Sequence, residues 1–279
     1  MRAMPRYKIL LTLCISLPQL TLSLPAQEGA SALAAGEESV VPQWQKDFES
    51  LDPEKQKAYR TSLLEARRLF GQKRIIESIN QIAEARKIFP DDPDALNLLG
   101  ACQVEFRSFD KARSAFEEAL EKQGAYLQDI AELRGDARKR RMRPVLNILF
   151  NIAEMDFVTR QWEECQNRIE KIIPEMDPAN LPMIRLLEFK YLLCKLKLGE
   201  VDEARALSDK YDYLDDQPYY YYANAAMAYH DKKEKEAERW RASARRVFRR
   251  TSTLAPWEDT MIEVGFVKSF YGGAAGSRE

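Results

Sequence analysis

A small residue recurs along this chain at intervals close to 34, and that recurrence constrains the fold more than any other feature. Ala112 serves as the marker. Ser78 lies 34 residues before it, with Ile82 and Ala85 following and Pro90 beyond. Cys165 lies 53 residues after it, one period plus 19, with Trp162, Ile169 and Pro178 around it. Ala204 follows after a further 39, with Gly199 just before it, and Ala237 after another 33. Apolar residues three and four apart around each marker have the helical period. A unit of this length cannot bury a core alone, so neighbouring units must stack on one another.

The best-formed segment reads Leu96-x-x-Leu99-Gly100, then Ala112-x-x-x-Phe116, then Ala119-Leu120, with Arg107-Ser108 as the turn. It resembles the tetratricopeptide repeat (TPR), the kind of sequence found in exported bacterial TPR-containing proteins. Gly100 and Ala112 are small because two antiparallel helices cross closely there, and Leu96, Leu99 and Phe116 fill the space around the crossing. The resemblance covers residues 59–251 and implies an all-α fold. The expected architecture is a right-handed α-solenoid of about five TPR-like helical hairpins with flanking capping helices. The hairpins fall near 59–92, 93–126, 146–179, 185–217 and 218–251, with a basic insert over 127–145. Gly124 replaces the closing Pro of the second unit, and Glu65-Ala66 and Asn224-Ala225 stand where Leu-Gly is usual. The array with its caps is expected over 51–270. It is preceded by a flexible lead and short helix over 27–50 and followed by a disordered tail over 271–279. In the lead, Pro42 to Leu51 is expected to be helical, packing Trp44 and Phe48 on the first unit. Asp52-Pro53 is an N-cap and first-turn pair. Pro256 is expected to open a capping helix over 256–270.

The N-terminus has the layout of a cleavable export signal over 1–26. Arg2, Arg6 and Lys8 precede an apolar run from Ile9 to Leu24, and Pro25-Ala26 leads into a polar stretch. Cleavage after Ala26 is expected, with Ala30-Ser31-Ala32 as a second candidate and an uncleaved anchor as the alternative. Loss of those three cations takes the formal net charge from −1 to −4, which does not point to nucleic acid. The expected location is the periplasm or cell envelope of a bacterium. Cys102, Cys165 and Cys194 remain in the mature part, at small-residue positions of helices, and read as buried hydrophobes or one disulfide.

In the TPR family the first helix of each hairpin lines a concave face that often binds peptides or helices. The register places Phe150, Phe157, Leu186, Phe189, Leu193, Leu196, Tyr219, Tyr222, Tyr229 and His230 on that face. A Tyr-rich apolar groove suits a protein or peptide partner. The alternative reading is that the C-terminal helix, or the extra residues after the second unit, folds back and fills it as ordinary core. Arg138, Lys139, Arg140, Arg141 and Arg143 form an anion-facing patch or, in the blander reading, a solvated helix face. The functional expectation is a noncatalytic scaffold or adaptor in an envelope assembly. The alternatives are a self-associating structural component, a homo-oligomer through the groove, or a module making peripheral contact with anionic lipid or polymer through the basic insert. No enzyme is expected: one histidine, no Cys-x-x-Cys pair and no Gly-rich phosphate loop leave no catalytic set, no metal site and no cofactor site.

Overall fold

The structure, a computed structural model, describes residues 41–268. The expected signal over 1–26, most of the lead and the tail over 271–279 lie outside the described residues. Within them the regular structure is helical throughout. A short helix, α1 (Gln43–Glu49), precedes five helix pairs: α2 (Pro53–Gly71) with α3 (Ile75–Ile88), α4 (Pro93–Glu105) with α5 (Phe109–Glu121), α7 (Gly135–Val158) with α8 (Trp162–Ile172), α9 (Leu181–Leu198) with α10 (Val201–Ser208), and α11 (Tyr219–His230) with α12 (Glu234–Val247). Between the second and third pairs lies α6 (Gly124–Glu132), and α13 (Thr251–Glu263) follows the fifth. Each pair packs on the next, so the fold is an all-α solenoid.

Local chemistry explains the boundaries. Asp52 and Asp92 cap α2 and α4, accepting from the backbone N–H of Glu54 at 2.9 Å and Asp94 at 2.7 Å, with Pro53 and Pro93 at the first helical position. The turn inside every pair has one geometry. Lys73, Arg107, Arg160, Gly199 and Lys232 all have left-handed φ, between 56° and 84°. Each lies five residues before its small-residue marker, so the 34-residue recurrence of the sequence is also a recurrence of backbone conformation. At each turn the left-handed residue donates its N–H to a carbonyl three residues back, and the next residue donates to a carbonyl five back. For the first pair these bonds are Lys73 N–H to Phe70 and Arg74 N–H to Leu69, both 2.9 Å. This is the Schellman closure, and it satisfies carbonyls that a helix end otherwise leaves open.

The five markers Ser78, Ala112, Cys165, Ala204 and Ala237 are all buried. Ser78 keeps its hydroxyl satisfied by donating to the Ala66 carbonyl at 2.8 Å. Cys102, Cys165 and Cys194 are buried free thiols. α1 lays Trp44 and Phe48 on the first pair, and Phe48, Tyr59 and Phe89 meet edge-on at 5.1–5.9 Å.

In the basic insert, residues 127–132 belong to α6 and 135–145 to the first turns of α7, and Ile130, Met142 and Val145 form a small core there. Pro144 lies inside α7. One stretch differs from expectation. The C-terminal helix begins at Thr251, five residues before Pro256, and ends at Glu263, short of the expected 256–270. Pro256 is an interior residue, and Gly265 terminates the helix in the left-handed region with φ 84°.

Candidate partner-binding face

The ten residues expected to line an open groove are not solvent-facing. Phe150, Phe157, Leu186, Phe189, Leu193, Leu196, Tyr219 and Tyr222 are buried, and Tyr229 and His230 are half-buried. For Phe189, Tyr219 and Tyr222 the cover includes α13, which returns across α11 and α9, while Phe157 is met by Trp162 of α8. Leu254, Trp257 and Met261 of α13 join one core cluster with Phe189, Tyr219 and Tyr222. The Trp257 ring lies 5.3 Å from Phe189, 5.7 Å from Tyr222 and 6.5 Å from Tyr219. Farther along, Phe266 stacks on Tyr229 at 5.7 Å, and the Lys197 ammonium lies 4.7 Å over the Phe266 ring. Eight of the ten belong to one core cluster with α13 residues, and Tyr229 packs against it, so these side chains serve as core of this chain; His230 is not among them.

Two buried charge clusters hold α13 in place. In the first, Glu258 of α13 is met at both oxygens. Oε2 accepts from Arg241 Nε at 3.1 Å and again from Nη2, while Oε1 accepts from Tyr222 Oη at 2.8 Å and Arg245 Nη2 at 3.1 Å. Arg241 is fully buried, and its other arm donates to Tyr229 Oη at 3.1 Å and Glu238 at 2.6 Å. Burial pushes the Tyr222 hydroxyl up, and the Glu258 carboxylate adds to this, so the tyrosine stays a donor.

The second cluster joins three helices. Lys190 of α9 lies between Glu154 of α7 at 3.0 Å and Glu263 of α13 at 3.3 Å, with its ammonium 4.2 Å over the Phe157 ring. Burial works to lower the Lys190 pKa, but the two carboxylates outweigh it and hold the ammonium above its ordinary value. Burial raises both carboxyls and Lys190 lowers both; Glu263 adds to the rise at Glu154, and Asp259 adds to the rise at Glu263. Among the described residues Glu154 Oε1 has no hydrogen-bond partner. A buried set with more acid than base is costly, so this end of α13 is held less firmly than the Glu258 end.

The basic stretch is likewise partly committed. Arg138 donates from Nε and Nη2 to Glu175 at 2.7–2.9 Å and from Nη1 to the Ile130 carbonyl at 2.9 Å, so its charge is neutralised. Lys139 and Arg141 are half-buried, Arg141 having a partner of its own, and Arg143 is exposed. The Arg140 side chain lies outside what the structure describes.

Of the residues that position α13, sequence reasoning passes over Glu258, Lys190, Glu154 and Glu263, and reads Arg241 with its basic neighbours on α12 as a solvated face, whereas the structure buries it fully. One signal for them does exist. Leu186 to Leu196 is apolar around the whole helix except for Glu188, Lys190, Tyr191 and Lys195. A charge inside such a run must find a buried partner.

No family model matches the sequence. No curated protein matches it either. Among solved structures, that of YrrB, described as a TPR protein with an unusual peptide-binding site, is similar at 13% identity and a TM-score of 0.47, over 76% of this chain and 95% of its own.

Proposed function

We propose that this protein is a noncatalytic scaffold that grips a helix of a protein partner on the first-helix face of its repeats. The observation that carries this reading is the seat of α13. Leu254, Trp257 and Met261 stand at i, i+3 and i+7 of a helix, with Glu258 at i+4, and α9, α11 and α12 receive all four. This is recognition of a helix in a groove, with apolar anchors and one acid read by a buried arginine. A partner helix carrying the same pattern competes for that seat.

The test uses a labelled peptide of residues 251–268 added to the protein and to its Trp257→Ala variant. The variant, its own α13 loosened, should bind the peptide at least about tenfold more tightly than the wild type. A folded variant that binds no helix at all sinks the reading.

Export to a bacterial envelope belongs to the same proposal. It is supported by the basic, apolar and small-residue regions over 1–26. N-terminal sequencing of the protein from fractionated cells should begin at Gln27. A protein retained in the cytoplasm with Met1 in place would remove the envelope from the proposal and leave the helix-binding part standing.

A further inference from the structure

We propose that the edge of the array beside the first turn of α11 is an interface between two copies of this chain, related by a two-fold axis. Two segments meet at that turn. The connection 209–218 leads into it, with the Tyr211 ring edge-on to Tyr219 at 5.1 Å. The end of α12 passes it, with the Phe248 ring 6.1 Å from Tyr221. Both segments present apolar side chains that the fold does not use. Leu214 is 72% exposed and Tyr213 65%, the two highest values among the large apolar side chains described, and Val247 on the other segment is 55% exposed.

The connection is held in shape. Asp212 accepts from the Leu214 N–H at 2.9 Å, and Asp215 accepts from the Gln217 N–H at 2.8 Å and from Arg185 at 2.9 Å. The Arg185 guanidinium also lies 3.6 Å over the Tyr211 ring. Tyr213 and Leu214 therefore stand in solvent on a fixed support, and little order remains to be lost on association.

Charge identifies the occupant. The connection shows Asp209, Asp212 and Asp216 to solvent, and its lysine, Lys210, is taken by Glu188 at 2.7 Å. The α12 end shows Arg246, Arg249 and Arg250. An acidic segment and a basic one thus flank the first turn of α11, each with an apolar residue in it. A two-fold axis through that turn sets the acidic segment of each copy on the basic segment of the other, and the match is made twice. A second copy satisfies this pattern without any further requirement. The edge adjoins the seat of α13 at Tyr219, but its exposed residues Tyr213, Leu214 and Val247 are not in the core that receives α13, so this interface and helix binding are tested separately.

Sedimentation of the purified protein over a range of concentrations tests it. The wild type should form a dimer that weakens at high salt. The acidic variant Arg246→Glu/Arg249→Glu/Arg250→Glu and the basic variant Asp209→Arg/Asp216→Arg should each be monomeric, with unchanged helix content because all five positions are exposed. Asp212 is left in place because it shapes the connection. Mixed in equal amounts, the two variants should restore the dimer, since each then meets its opposite. A monomeric wild type, a dimer that persists in either variant, or a mixture that stays monomeric would overturn the proposal.

Discussion

Gly100 faces the ring of Phe116, and a Cβ placed there would lie 2.4–2.8 Å from three ring atoms. The ring is fully buried and has nowhere to go. Gly100→Ala gains helix propensity of about 1 kcal/mol, but overpacking costs about 1–3 kcal/mol. Thermal unfolding should therefore show a net loss, while Gly71→Ala, with nothing within 4 Å, should be neutral or slightly stabilising. The left-handed turns give a second contrast. Lys73→Gly relieves a side chain held at φ 60° and should stabilise by up to about 1 kcal/mol, whereas Gly199→Ala, at φ 84°, should destabilise by a similar amount. A third concerns Asp92, whose carboxyl is raised from 3.8 to about 6 by burial and by Asp94, against the Tyr59 hydroxyl that donates to it at 2.5 Å and the Arg67 charge. The folded protein then holds a proton that the unfolded chain has released, so Asp92 makes stability fall as pH rises from about 4 to about 6. Asp92→Asn keeps the N-cap and should flatten that slope in urea titrations at a series of pH values; an unchanged slope would contradict the assignment. At this scale the sequence is readable where smallness or capping is the message, as at Gly100, Ala112 and Asp52. It marks Lys190 as a charge in need of a buried partner but does not name the partner, because nothing near Lys190 in the chain points to Glu154 or Glu263.

The element whose role sequence reasoning could least decide is α13. Its apolar residues announced a helix, but both an outer cap and a return across the array were open readings, and its start was placed at Pro256 because proline favours a first turn. What decides between them is the match of Glu258 to Arg241 and Tyr222, residues 17 and 36 positions away. That match makes a sharp prediction. Glu258→Ala leaves the fully buried Arg241 facing Tyr229 and the half-exposed Glu238, and should cost about 3–5 kcal/mol. Replacing both partners, Arg241→Met with Glu258→Leu, should cost less than the single change. Chemical denaturation of the three variants checks the order, and a double variant worse than the single would mean that packing rather than charge fixes α13. For the groove residues, the sequence shows that α9 is apolar on nearly every side and α11 rich in Tyr and Ala, which marks them as buried helices. It does not show what lies on them, because that depends on residues of α13 far along the chain.

Across the whole molecule the cores are separate: one spans α2 to α4, a second joins α4, α5 and α7, and the largest runs from α7 to α13. In a stack of this kind a local loss stays local. Tyr59→Ala removes the ring that Phe48 and Phe89 contact, along with the bond to Asp92. Hydrogen exchange should speed up in α1 to α4 and leave α9 to α13 unchanged; a uniform rise would show a single cooperative unit instead. The third to fifth pairs differ from the first two in one respect, which follows from the bond between Lys190 and Glu263 across 73 residues of chain. Protein chains are made from the N-terminus onward. The first two pairs have their partners once α7 has emerged. Lys190, Phe189 and Tyr222 wait for Glu263, Trp257 and Glu258, which are made later. The newborn chain therefore shows a wide sticky surface between the making of α9 and the making of α13, and a stall in that interval leaves it more exposed to a chaperone or a protease than a stall before α9.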